Sequence, residues 1–158
     1  MKEITIRELK ENPVKLISED WALLTVKDAE KGSCNPMTVS WGGVGELWGA
    51  DMATIYVRES RYTKTLLDNE DYFSLCFFGG KQKEALSFCG SKSGRDCDKV
   101  KETGLTPVYS ENAPYFKEAE IVLICRKKAR TFLGEDSFLD KNIMNCLLYT
   151  SPSPRDRG

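Results

Sequence analysis

Three stretches of the chain place hydrogen-bonding and cationic side chains where they could hold a planar, anionic ligand. The first is Asn35–Trp41 in "NPMTVSWGG". Its alternation reads as a strand, with Met37, Val39 and Trp41 on one face and Thr38 and Ser40 on the other. Asn35, Thr38 and Ser40 are then polar groups displayed beside glycines. A heteroaromatic ring with polar edges could lie against them, although an ordinary strand with one polar face has the same pattern. The second stretch is "VRESRYTK", where Arg58 and Arg61 bracket a serine at a helix start and Tyr62, Thr63 and Lys64 follow. Backbone N–H groups at a helix N-terminus together with guanidinium groups make an anion site. A solvated charged turn would read the same way. The third, "GSKSGRDCDK", gathers Ser91, Lys92, Ser93 and Arg95 ahead of a helix. Asp96 and Asp98 either pair with Arg95 or Lys99, or cap that helix themselves. The loop lacks the G-x-x-x-x-G-K-[ST] spacing of a nucleotide-binding P-loop.

Other chemistries are excluded by what is missing. The chain has no histidine, so it carries neither a Ser-His-Asp nor a Cys-His nucleophile. Its six cysteines, at 34, 76, 89, 97, 125 and 146, include no CxxC pair. They read as free, mostly buried thiols, and no metal site is expected. No side chain stands out as a catalytic acid, base or nucleophile. Chemistry here would fall to a bound cofactor.

The elements that must position these groups are mostly strands. With 158 residues, 41% hydrophobic and 30% charged, the composition fits one soluble domain able to bury a core unaided. A net charge of −1 gives no reason to expect nucleic acid or an anionic membrane. No run of eighteen apolar residues occurs, and the N-terminus "MKEITIRELKENP" is charged where a signal peptide would be apolar, so a cytoplasmic protein is expected. Strands are predicted over 20–28, 36–41, 52–57 and 72–78, and a long strand or hairpin arm over 119–134. The glycine-rich 42–49 reads as a turn or bulge. Helices are predicted over 60–70, over 81–90 with Gly90 just past its end, over 91–104 stopping at Gly104, and from Asp136/Ser137 onward. A turn is placed around Asn112 to Pro114. Strands with short inserted helices indicate a closed or nearly closed antiparallel barrel.

The end of the chain reads differently. "CLLYTSPSPRD", Cys146 to Asp156, matches the translated adapter end of a transposase-made sequencing library. Residues 1–145 are therefore expected to be the natural domain and 146–158 a non-native tail. The domain is expected to be incomplete at its C-terminus.

Four stretches in order carry a resemblance: "NPMTVSWGGVGELWG", "VRESRYT", "CGSKSGRDCDKVKETGLTPV" and "APYFKEAEIVLICRK". Together they resemble the flavin reductase-like family, the FMN-binding split barrels that include flavoredoxin. The resemblance covers nearly everything from Glu3 to Asn145. It implies a mainly β fold, a six-stranded antiparallel split barrel with short inserted helices, and a homodimer with FMN at or near its interface. It implies that Asn35, Met37, Thr38, Val39, Ser40 and Trp41 run along the flavin ring. It further implies that Arg58, Arg61, Tyr62 and Thr63, with Ser91, Lys92, Ser93 and Arg95, surround the ribityl-phosphate. Family members continue into a further segment that carries a histidine, and its absence here is read as truncation, with the last barrel segment missing.

Three functions follow as alternatives. The first is an NAD(P)H:flavin oxidoreductase, with NAD(P)H as the donor and FMN as the acceptor. The second is an FMN electron carrier that serves a redox partner protein and has no nicotinamide site of its own. The third is a non-redox binder of another phosphorylated planar ligand.

Overall fold

The computed structural model describes residues 1–143. The central sheet is antiparallel and contains β1 (Ala22–Asp28), β2 (Ser33–Val39), β5 (Tyr72–Phe77) and β8 (Ile121–Arg126), in the order β2-β1-β5-β8. Between them in sequence lie the hairpin of β3 (Gly42–Leu47) and β4 (Ala50–Ile55) and the short pair of β6 (Pro107–Tyr109) and β7 (Pro114–Phe116). The sheet is accompanied by α1 (Pro13–Lys15), continued by a π-helical turn over Leu16–Asp20, and by α2 (Tyr62–Asn69), α3 (Lys83–Ser91) and α4 (Lys99–Thr103). The mainly β, antiparallel architecture with inserted helices is as expected.

Register decides which residues share a face. Met37 pairs with Leu24, Leu24 with Leu75, and Leu75 with Leu123. That row crosses all four strands and lies on one face, because successive side chains alternate. Leu16 and Ile17, Ile55 of β4 and Leu66 and Leu67 of α2 pack against that face. The neighbouring row, Thr38, Leu23, Cys76 and Val122, belongs to the other face. Leu86 and Cys89 of α3, Leu105 and Phe116 cover it. The sheet is thus apolar on both sides, and β1 and β5 read as near-continuous buried strands.

Several predicted boundaries shift. The glycine-rich 42–49 is mostly strand, not a turn. Gly42 sits at φ 144°, and a Cβ there would lie 2.2 Å from the Thr54 carbonyl oxygen, so glycine lets the chain enter a close-packed hairpin. Gly90 lies inside α3, which ends only where Lys92 turns extended. Of the separate helix predicted over 91–104, Ser91 belongs to the end of α3 and only Lys99–Thr103 forms a new helix, which does stop at Gly104, at φ 72°. Local bonds claim the residues before it: Ser93 Oγ accepts the Arg95 N–H at 3.1 Å, and Asp98 caps α4 by accepting from the Lys101 N–H at 3.1 Å. The strand predicted over 119–134 ends at Arg126, because its ladder partner Tyr72 is the first residue of β5. In the segment predicted as a helix from Asp136/Ser137, Glu135–Ser137 forms a 3₁₀ turn and residues 141–143 are helical. The tail from Cys146 lies outside the described residues. Among the described residues no helix is long and apolar enough to cross a membrane.

Candidate anion site between β2, the α2 entry and the 91–98 loop

The fold brings the three stretches together. Asn35 is buried on β2 and donates from Nδ2 to Thr63 Oγ1 of α2 at 2.8 Å. Arg61, just before α2, reaches Met37 Sδ at 3.3 Å and the Lys92 carbonyl at 3.5 Å. Arg95 of the loop donates to the Ser60 carbonyl at 3.2 Å. Each stretch therefore touches another through a named polar contact.

Tyr62 is the hinge of the arrangement. Its hydroxyl donates to Asp28 Oδ2 at 2.6 Å, and this bond, before burial, pushes its pKa up to about 12. The Lys31 ammonium lies 4.9 Å from its ring centroid and the Arg95 guanidinium 5.4 Å. Lys31 Nζ also donates to the Gly94 carbonyl at 2.6 Å. Gly94 in turn leaves no room for a side chain, since a Cβ would sit 2.1 Å from Asn35 Oδ1.

The electrostatics are one-sided. Among the described residues, none of Arg58, Arg61 and Arg95 forms an ion pair, although Glu59 and Asp68 nearby pair with Lys64. Burial foremost, then repulsion from Arg58 and Arg95, lowers the pKa of Arg61. Three guanidinium groups that repel one another and lack a carboxylate suit a multiply charged anion. Arg58 also lies over the Trp41 ring at 5.4 Å. Ser40, next to Trp41, keeps a buried hydroxyl with no hydrogen-bond partner. A ligand with an anionic end and polar ring edges would use both features.

The β2 side chains are less available than their polarity suggests. Asn35, Thr38 and Ser40 are all buried rather than displayed. Thr38 donates to the Leu86 carbonyl of α3, which covers that face. Met37 and Val39 lie in the core cluster of the opposite face. Ser91 turns back on its helix and donates to the Phe88 carbonyl at 3.2 Å, while Lys92 is exposed on the loop. Neither Arg95 nor Lys99 pairs with Asp96 or Asp98. Asp28, Lys31, Gly94 and Lys99 are structural parts of the site that the sequence reading did not single out as candidates. Lys99 is buried and otherwise resembles its exposed neighbour Lys101, so no local signal marks it.

A family model described as flavin reductase like domain matches residues 15–139. None of the curated proteins matches the chain. Among solved structures, flavoredoxin of Desulfovibrio vulgaris (Miyazaki F) superposes with a TM-score of 0.66 at 21% identity, over 84% of this chain and 69% of that one. Flavoredoxin from Methanosarcina acetivorans gives a TM-score of 0.59 at 28% identity, over 80% of this chain and 64% of that one. Nitrilotriacetate monooxygenase component B from Bacillus cereus gives 0.60 at 19% identity, over 87% of this chain and 74% of that one. The chain spans about two thirds of the two flavoredoxins' length.

Proposed function

Because the chain belongs to the flavin reductase-like domain family, we propose that its three converging stretches hold FMN for an NAD(P)H-dependent flavin reductase. The observation that carries the reading is the meeting of Arg58, Arg61 and Arg95, unpaired by any carboxylate among the described residues, beside the orphan hydroxyl of Ser40. Arg61 and Arg95, with Lys92 and the loop hydroxyls, would hold the phosphate. Trp41 and the backbone of β2 would hold the ring. Bound there, the flavin supplies the two-electron acceptance that a nicotinamide hydride requires. The residues of this chain then orient the reactants and neutralise the phosphate, and no acid or base of theirs is required. The likeness to two flavoredoxins supports the carrier as the second reading.

The test is spectroscopic. The purified protein is mixed with FMN, desalted, and given NADH or NADPH without oxygen. Co-migrating flavin absorbance that bleaches with either nicotinamide, without a partner protein, is the expected result. Retained flavin that stays yellow would make the domain a carrier. A protein that retains no flavin would remove the FMN reading altogether.

The reading extends to a homodimer. Leu47 and Trp48 at the β3–β4 hairpin tip are exposed, Trp48 at 73%, and supply an apolar surface that pairing would cover. Sedimentation velocity at micromolar protein should show a two-chain species, and a monomer throughout the range would remove this part.

A further inference from the structure

We propose that Lys99 is a positioning residue for the anion site, clamping both ends of the 91–98 loop to β2 and making anion affinity depend on its own protonation. The proposal rests on the anion-binding reading above.

Lys99 is 3% exposed. Its Nζ donates to the Pro36 carbonyl at 3.0 Å and to the Cys89 carbonyl at 2.9 Å. Cys89 lies on α3, just before the loop, and Lys99 itself opens α4, just after it. The ammonium therefore ties the loop's two flanking helices to one strand. The anchor point on that strand is well placed. Pro36 lies between Asn35, which bonds Thr63, and Met37, whose sulfur meets Arg61. One side chain thus fixes the flanks of the loop to the strand segment on which Thr63 and Arg61 also rest.

A buried ammonium normally has an acidic partner. Lys99 has none among the described residues and relies on two neutral carbonyls. The titratable and charged groups that act on it are Cys89 of α3, Arg61 before α2 and Cys97 of the loop. Burial foremost, with Arg61 acting in the same direction, lowers its pKa to about 8, and the two thiols oppose the shift. An anion bound at Arg61 favours the ammonium and raises that pKa. Anion affinity is then full below the pKa of the free protein and falls as pH rises through it.

The experiment measures FMN and riboflavin dissociation constants from pH 7 to 10 and follows their ratio, which isolates the phosphate. In the wild type the preference for FMN should decline above pH about 8, by up to tenfold per pH unit for a single coupled proton. Lys99→Arg, which stays charged, should flatten the profile. Lys99→Met should show a small FMN preference at every pH. A wild-type preference that does not change with pH overturns the role of Lys99 alone. A slope that survives in Lys99→Met or Lys99→Arg overturns it too. If Lys99→Met fails to fold, the wild type and Lys99→Arg decide the matter between them. A wild type that does not prefer FMN to riboflavin at pH 7 overturns the anion-site reading and this proposal with it.

Discussion

Replacing Arg61 with alanine is expected to weaken FMN binding about 100-fold while leaving riboflavin within about threefold of wild type. Arg61 is half-buried, has no ion pair among the described residues, is repelled by Arg58 and Arg95, and touches both β2 and the loop. A hydrogen bond to a charged group contributes about 1.5–3 kcal/mol, and a bidentate one more. Half-burial lowers the local dielectric, so the charge acts at the upper end of that range. Riboflavin lacks the phosphate, so the substitution takes from its site only the Arg61 contact with Met37. Arg61→Lys should recover only part of the FMN affinity, because a point charge cannot fork across two oxygens. Fluorescence titration of both flavins reads the outcome. Equal losses for FMN and riboflavin would place Arg61 at the ring or in the scaffold, away from the phosphate.

Much of the scaffold could be read from the sequence because local pattern and tertiary demand agreed. β1 and β5 are short apolar runs bounded by polar residues, and both faces of the sheet are indeed covered. α2 ends at Asn69, within a residue of its prediction. The failures share a cause: long-range contact overrode local chemistry. Glycines at 42, 43 and 45 signal a turn, but pairing across to Ile55, Thr54 and Met52 holds them in a strand. Thr38 and Ser40 look like a solvent face, but both are buried, and the hydroxyl of Thr38 donates to the Leu86 carbonyl of α3. Lys99 looks like any helix-surface lysine until α4 crosses β2 and encloses it. The polar stretches themselves were visible as three separate clusters. Their convergence was not, because it depends on the β2–β1 register and on the packing of Gly94 against Asn35, neither of which leaves a local trace.

That packing makes Gly94→Ala the most informative substitution in the site. The added Cβ would stand 2.1 Å from Asn35 Oδ1 and 2.7 Å from Tyr62 Cδ1. Neither neighbour can yield freely. Asn35 is buried and would have to give up its bond to Thr63, and Tyr62 is held by Asp28. The cheapest response is for the loop to lift, which breaks the Lys31 bond to the Gly94 carbonyl and carries Arg95 away from Ser60. Overpacking of this kind costs about 2 kcal/mol of stability. The larger effect should fall on binding, with FMN affinity reduced about 100-fold or more, because displacement of the loop removes its charge from the site. A double-mutant cycle separates this from general damage. Asn35→Ala vacates the space that the new methyl needs, so Asn35→Ala with Gly94→Ala should be more stable than the sum of the single changes predicts, by about 1 kcal/mol or more. Urea denaturation of the four proteins measures that coupling. Strict additivity would mean that the loop does not rest on Asn35, and the convergence that defines the site would lose its structural basis.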